Sequence, residues 1–255
     1  MKKLNLITTL LALLIVLMGC KKECTFVYSA WTSCSNSIQT RTNTSSPSGC
    51  TGTAPADSTQ RPCVMGKIGD QIWTLTNLDV ATYRNGDAIP QVQDVIAWSN
   101  LTTGAWCYYE NTTTYGSIYG KLYNWYAVND SRGLAPKGYH IPTDAEWTTL
   151  TTYLGGTSVA GGKMKESGIS HWQTQNIGAT NSSGFTGLPG GYRFSNGDFY
   201  GIGTNGYWWG SSEGSPGLPV SPFIAWYRSL YYDDGVVVRN YYYKTYGFSV
   251  RCLRD

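Results

Sequence analysis

Charge is scarce in this chain of 255 residues. Asp, Glu, Lys and Arg make up 14% of it, and they nearly cancel to a net +3. No run of Lys and Arg interleaves with aromatic residues, so the electrostatic footprint of a nucleic-acid binder is missing. Histidine is limited to His140 and His171. No C-x2-C pair and no nearby His give the early cysteines the spacing of a zinc site. There is no EF-hand spacing. What is abundant is aromatic area and glycine: Tyr 20, Trp 10 and Gly 30. A disordered chain would be charge-rich and aromatic-poor, and a helical one would favour Ala, Leu, Glu and Lys. This composition predicts strands and long packed loops.

The N-terminus carries an address. Lys2 and Lys3 precede an apolar stretch from Leu4 to Met18 that closes on Leu17-Met18-Gly19-Cys20. Charge, short apolar run and small residue form a secretory signal, too short to span a bilayer. The ending resembles the lipobox of bacterial lipoproteins. The resemblance implies removal of residues 1–19 and acylation of Cys20. The expected location is the bacterial cell envelope, tethered to a membrane by the N-terminal lipid, with the outer-membrane surface among the options.

Seven cysteines minus Cys20 leave an even six, as suits an oxidising compartment. Residues 20–64 are rich in Ser, Thr, Pro and Cys and too poor in aliphatics to fold unaided, so a small disulfide-stapled module is expected. Trp31-Thr32-Ser33-Cys34-Ser35 with Gln39-Thr40-Arg41-Thr42 resembles a thrombospondin type 1 repeat. The likeness implies a Trp31–Arg41 rung and the pairs Cys24–Cys50 and Cys34–Cys63. One of that family's three disulfides and its second Trp are absent. Four cysteines allow three connectivities, and a plain stapled stalk fits equally.

Residues 65–255 read as one α+β domain. Gln71 to Leu75 alternates as a strand, and Leu101 to Tyr109 is a second candidate. Tyr119, Leu122, Tyr123 and Tyr126 stand at helical spacing within 119–128. Thr143-Asp144-Ala145-Glu146 is a capping box. It starts a helix with Trp147, Leu150 and Leu154 on one face, stopped by Gly155-Gly156. Gly-rich and Asn-rich loops are expected next. The late strand candidates are Tyr207-Trp208-Trp209, Ala225 to Leu230 and Gly247 to Leu253.

Six motifs recur here in a recognisable order: Ile68-Gly69-Asp70-Gln71-Ile72-Trp73, Tyr119-Gly120-Lys121-Leu122-Tyr123-Asn124-Trp125, Ile141-Pro142-Thr143-Asp144-Ala145-Glu146-Trp147, Gly187-Leu188-Pro189-Gly190-Gly191, Tyr207-Trp208-Trp209 and Gly247-Phe248-Ser249-Val250-Arg251-Cys252. Together they resemble the Fibrobacter succinogenes major paralogous domain, a family of bacterial exported proteins. Pro142 to Trp147 and the closing Gly-Phe-x-Val-Arg are more distantly similar to the formylglycine-generating, sulfatase-modifying family. That likeness implies a C-type-lectin-like head with two helices, small sheets and long loops. In such a head the two ends of the domain meet in one sheet, so a Cys107–Cys252 bridge is expected, with two buried free thiols as its rival.

Catalytic machinery is hard to find. Formylglycine formation needs a thiol pair near copper, yet no cysteine lies between Cys107 and Cys252. His140 reads as a packing or loop residue and His171 as a loop donor. Glu146 is explained by the capping box and Asp144 by the helix dipole. Glu213 and Asp233-Asp234 are the acids left for a carboxylate pair. Asn129-Asp130-Ser131, Asn196-Gly197-Asp198 and Asp233-Asp234-Gly235 offer oxygen ligands, so calcium is the one cofactor kept open, against ordinary turn roles. The candidate ligand-binding residues are Tyr231, Tyr232, Tyr241, Tyr242 and Tyr243. Tyr gives rigid contact area with a polar tip, and sheet packing is the rival use of the same residues. Neighbours on a strand alternate faces, so at least one tyrosine of 241–243 should be exposed. The expected function is a non-catalytic display module that recognises an extracellular protein or glycan. A carbohydrate-active enzyme and a structural envelope protein are the rivals.

Overall fold

The structure is a computed structural model describing residues 25–28, 38–40, 43–46, 60–62, 65–214 and 223–255. These fall into two units, one ending at Pro62 and one running from Met65. In the first, β1 (Thr25–Tyr28) and β3 (Asn43–Ser46) pair antiparallel, as do β2 (Ile38–Thr40) and β4 (Gln60–Pro62). Cys20, Cys24, Cys34, Cys50, Cys63 and the Trp31–Arg41 rung lie outside the described residues.

The second unit mixes helix and sheet, with sheet predominating. It opens with β5 (Met65–Ile68) and β6 (Gln71–Thr74). Then come α1 (Val95–Ser99), β7 (Trp106–Cys107), α2 (Thr113–Tyr119), β8 (Leu122–Tyr123), α3 (Trp125–Val128) and β9 (Tyr139–His140). Helices α4 (Asp144–Tyr153) and α5 (Thr157–Met164) follow. The chain closes with β10 (Gly190–Arg193), β11 (Phe199–Ile202), β12 (Asn205–Glu213), β13 (Ile224–Tyr231), β14 (Val238–Tyr243) and β15 (Leu253–Arg254). Strand β15 lies between β6 and β9, so the ends of the unit share a four-stranded sheet, β5-β6-β15-β9. The larger sheet has the order β11-β10-β12-β13-β14. Alternation along β12 sends Trp208 and Trp209 into two different cores, one on each face.

Local chemistry explains the boundaries. The Thr143 hydroxyl accepts from Glu146 N at 3.2 Å while the Glu146 carboxylate accepts from Thr143 N at 2.8 Å, the reciprocal bonding expected of the capping box. Trp147 and Leu150 are fully buried, and α4 gives way to Gly155 (φ +100) and Gly156 (φ +94). The single helix expected over 119–128 is corrected. Gly120, at φ +73, ends α2, and β8 runs extended. Asn124 then caps α3 by accepting from Ala127 N at 3.1 Å. The strand expected over 101–109 shortens to β7. The one expected over 247–253 is a run of single bridges at Gly247, Phe248 and Ser249 ahead of β15.

The Cys107–Cys252 bridge is also corrected, because both thiols are free and buried. Cys107 packs with Trp98, Tyr109 and Leu122, whereas Cys252 belongs to the core that holds Tyr139 and Val250. Burial pushes both thiols up to about 12, which disfavours the reactive thiolate.

Candidate functional site

Edge strand β14 carries three of the five candidate tyrosines, and its register with β13 separates them. Tyr241 pairs with Trp226, Tyr242 with Ala225 and Tyr243 with Ile224. On one face the Tyr241 and Trp226 rings meet at 5.4 Å, and the Arg239 guanidinium lies 3.7 Å above Trp226. Tyr242 turns to the other face, 6.0 Å from Tyr227 and 4.1 Å from Tyr246. Tyr243 is 53% exposed, the open tyrosine that strand alternation requires. Tyr231 lies at the far end of β13, its hydroxyl 3.3 Å from that of Tyr207. Tyr232 leaves the strand and packs against the core around Trp208. The five candidates therefore form no single cluster.

A different cluster emerges on the Tyr242 face. Tyr192, Tyr207, Tyr227, Tyr242 and Tyr246 form a closed ring, with successive centroids 4.8, 5.7, 6.0, 4.1 and 6.1 Å apart. Phe248, fully buried, contacts four of them at 5.0 to 6.0 Å. Sequence reading missed Tyr192, Tyr207 and Tyr227 as candidates. The signal was the two-residue spacing of Ala225, Tyr227, Ser229 and Tyr231, which places four side chains on one face of β13. Burial raises the Tyr207, Tyr227 and Tyr192 phenols above their ordinary value, and neighbouring tyrosines add to the effect. They stay protonated, and a protonated phenol has one donor and an acceptor oxygen.

The acids are dispersed. Glu213 pairs with Lys244 at 2.7 Å, beside the Ala225 end of β13. Asp233 and Asp234 follow Tyr231 at the opposite end, six strand residues or roughly 20 Å away. No catalytic pair forms between them. The turn acids are engaged locally. Asp130 binds Arg132 at 2.8 Å, Asp198 accepts from Asn196 at 2.8 Å, and Asp234 accepts from Val236 N at 2.8 Å. Among the described residues no group of three metal-type ligands is present.

Both histidines have carboxylate partners. His140 Nδ1 faces Asp255 at 2.8 Å and Nε2 faces Glu146 at 2.9 Å. Both ring nitrogens are thus engaged by carboxylates. His171, in a loop, turns Nδ1 toward Glu166 at 2.9 Å. Lys165 is fully buried, and its ammonium donates to the carbonyls of Ile177, Tyr231 and Asp234 at 2.6 to 2.8 Å. That saturates its three donors and ties the 166–187 loops to the end of β13. Burial pulls this lysine down to about 8.

The six motifs now have places: the opening hairpin, the α2–α3 turn, the capped helix, the loop into β10, strand β12 and the segment that supplies Phe248. Residues 67–254 match the model of the Fibrobacter succinogenes major domain. The chain belongs to that family. No match was found among curated proteins or among solved structures. The Fibrobacter major domain accordingly covers the whole second unit apart from its first two residues and its last, and it includes every residue of the tyrosine ring.

Proposed function

We propose that this chain is a lipid-anchored, exported binding module that displays a C-type-lectin-like head on a thrombospondin-like, disulfide-stapled stalk. The head recognises a protein or glycan outside the cytoplasm and performs no catalysis. The observation that carries this reading is the aromatic end of the large sheet. Tyr241 and Tyr242 are half-buried and Tyr243 exposed on its terminal strand, so rigid rings with polar tips meet solvent from a fixed scaffold. Such side chains give contact area at little entropic cost. The junction of both domain ends in one sheet, together with long loops between short elements, supports the lectin-like comparison. The lipobox at Leu17 to Cys20 supports anchorage. Two or three acyl chains hold a protein firmly, since each buried methylene contributes about 0.8 kcal/mol.

The test has two arms. Cys20→Ser should move the protein from the membrane to the soluble fraction, and a mutant that still sediments with membranes refutes the anchor. The full chain, screened against glycan and envelope-protein arrays, should show saturable binding that weakens in Tyr241→Ala or Tyr242→Ala. Turnover of a polysaccharide, or no binding in either array, overturns the recognition reading.

A further inference from the structure

We propose that the free edge of β14 pairs with the same edge of a second copy, giving an antiparallel dimer with Tyr241 at its twofold axis. The pairing goes beyond the recognition reading and does not rest on it. The large sheet ends on β14, which is bonded on one side, to β13 alone. Two bonds beside this pair fix which backbone groups face outward. Lys244 N donates to Phe223 O at 2.7 Å, and Gly214 N donates to Ile224 O at 3.0 Å. Lys244 therefore faces β13, and Ile224 faces β12. Backbone groups along a paired strand alternate sides. Val238, Asn240 and Tyr242 consequently turn theirs to β13, and Arg239, Tyr241 and Tyr243 turn theirs to the open side.

This edge has little protection. An unpaired ladder is a template for another strand, and proteins blunt it with Pro, charge, bulges or a covering helix. At the other end of the sheet, β11 carries Gly201 at φ +78, an interruption of that kind. Strand β14 has no Gly and no Pro. Its one charge, Arg239, is turned onto Asp144 and Trp226. Helix α4 packs over β12 and β13. The open side is guarded lightly: Asn240 Oδ1 accepts from Tyr241 N at 2.9 Å, and Tyr243 O accepts from Tyr246 N at 3.0 Å. The first guard is an exposed side chain that a second strand can displace. The second leaves the carbonyl a lone pair.

Register identifies the occupant. Three outward residues spaced by two are matched in full by the same three running the other way. Tyr241 then faces Tyr241, with Arg239 opposite Tyr243 on either side. All three side chains stand on the Trp226 face. The cross-strand neighbours are thus two tyrosines, and a cation with an aromatic ring, both favourable. A slide of two residues leaves one outward residue unmatched in each copy. A slide of four sets Arg239 against Arg239, a like-charge pair. In strand addition the main-chain bonds give affinity and the side chains give specificity. Two five-stranded sheets become one of ten strands, and the two tyrosine edges become one surface.

The experiment is sedimentation of the full chain in detergent over a range of concentrations. The wild type should pass from monomer to dimer. Tyr241→Pro removes an outward N–H and no bond to β13, a place where an edge strand tolerates proline. It should fold, as read by circular dichroism, and stay monomeric. Asn240→Ala frees the Tyr241 amide and should tighten the dimer about fivefold. Cysteine cross-linking under mild oxidation, read by mass spectrometry, reports the register. Hydrogen-bonded antiparallel partners lie about 5.5 Å apart at Cα, within reach of a disulfide. Tyr241→Cys should link to itself. Arg239→Cys should not, yet it should link to Tyr243→Cys in a mixture of the two. A wild type that is monomeric throughout overturns the pairing. So does a folded Tyr241→Pro dimer, or a self-link in Arg239→Cys. If Tyr241→Pro fails to fold, the cross-links decide alone. No glycan or envelope protein enters these measurements, so their failure leaves the recognition reading standing.

Discussion

Arg228 on β13 and Asp144, the first residue of α4, meet at 2.9 Å and fasten the helix to the large sheet. The same guanidinium donates to Asp144 O at 3.0 Å and to the Thr148 hydroxyl at 3.1 Å. Arg228 is 2% exposed. Asp144 also takes Arg239 at 2.8 Å, so one carboxylate serves two arginines. Burial raises the Asp144 carboxyl, but Arg239 and Arg228 outweigh it and hold it below its ordinary value. The acid expected merely to favour the helix dipole thus also joins two layers.

Removing that acid strands a buried cation. Asp144→Ala should cost about 3 kcal/mol in urea unfolding. Arg239→Ala breaks a pair whose arginine is 44% exposed and should cost less than about 1 kcal/mol. Equal losses from the two variants would contradict the layered role assigned to Asp144.

His140 makes the docking of the C-terminus depend on pH. Burial lowers its tendency to protonate, but Asp255 and Glu146 outweigh this and raise its pKa above 6.5. A protonated ring donates from both nitrogens, one to each carboxylate. A neutral ring turns a lone pair on one of them. The histidine's contribution is therefore complete below about pH 6.5 and fades as pH climbs through its raised value. Glu146, lowered below 4.5 on balance, contributes above that value and is lost on acidification. Stability from this cluster should peak between the two. An NMR titration should place His140 above 6.5 in the wild type and return it toward 6.5 in Asp255→Asn.

The free thiols should be silent in the native state. With Cys107 and Cys252 both sealed and raised to about 12, a thiol reagent at neutral pH should label neither until the chain unfolds. Mass spectrometry of labelled protein decides this. A disulfide-linked peptide pair containing both residues would restore the expected bridge.

The parts legible in the sequence were those whose chemistry is local. The capping box needs four adjacent residues, and two-residue alternation in 207–209 and 225–230 needs nothing more distant than a neighbour. The tyrosine ring was not legible, because Tyr192, Tyr207, Tyr227, Tyr242 and Tyr246 converge through the pairing of four strands. The five tyrosines chosen by proximity in sequence were scattered by that pairing. The dispersal of Glu213 and Asp233 was hidden for the same reason. Helix α5 was obscured by its own glycines: Thr157 to Met164 reads as loop, because Gly161 and Gly162 are poor helix formers.

Those glycines give the sharpest test of packing over propensity. A Cβ on Gly161 would sit 2.4 Å from Val236 O and 2.6 Å from Gly235 O. These are backbone atoms, and the neighbouring amide of Gly162 donates to Gly235 O at 3.1 Å. The helix cannot retreat without breaking that bond. Alanine would improve helix propensity by about 1 kcal/mol, yet overpacking against immovable backbone costs about 3. Gly161→Ala should therefore lose about 2 kcal/mol, or roughly 4–8 °C in melting temperature for a unit of this size. Val159→Ala, at a site 47% exposed on the same helix, should instead gain about 0.5 kcal/mol. If Gly161→Ala melted higher than the wild type, propensity would outweigh packing, and the close approach of α5 to the Gly235 turn would be wrong.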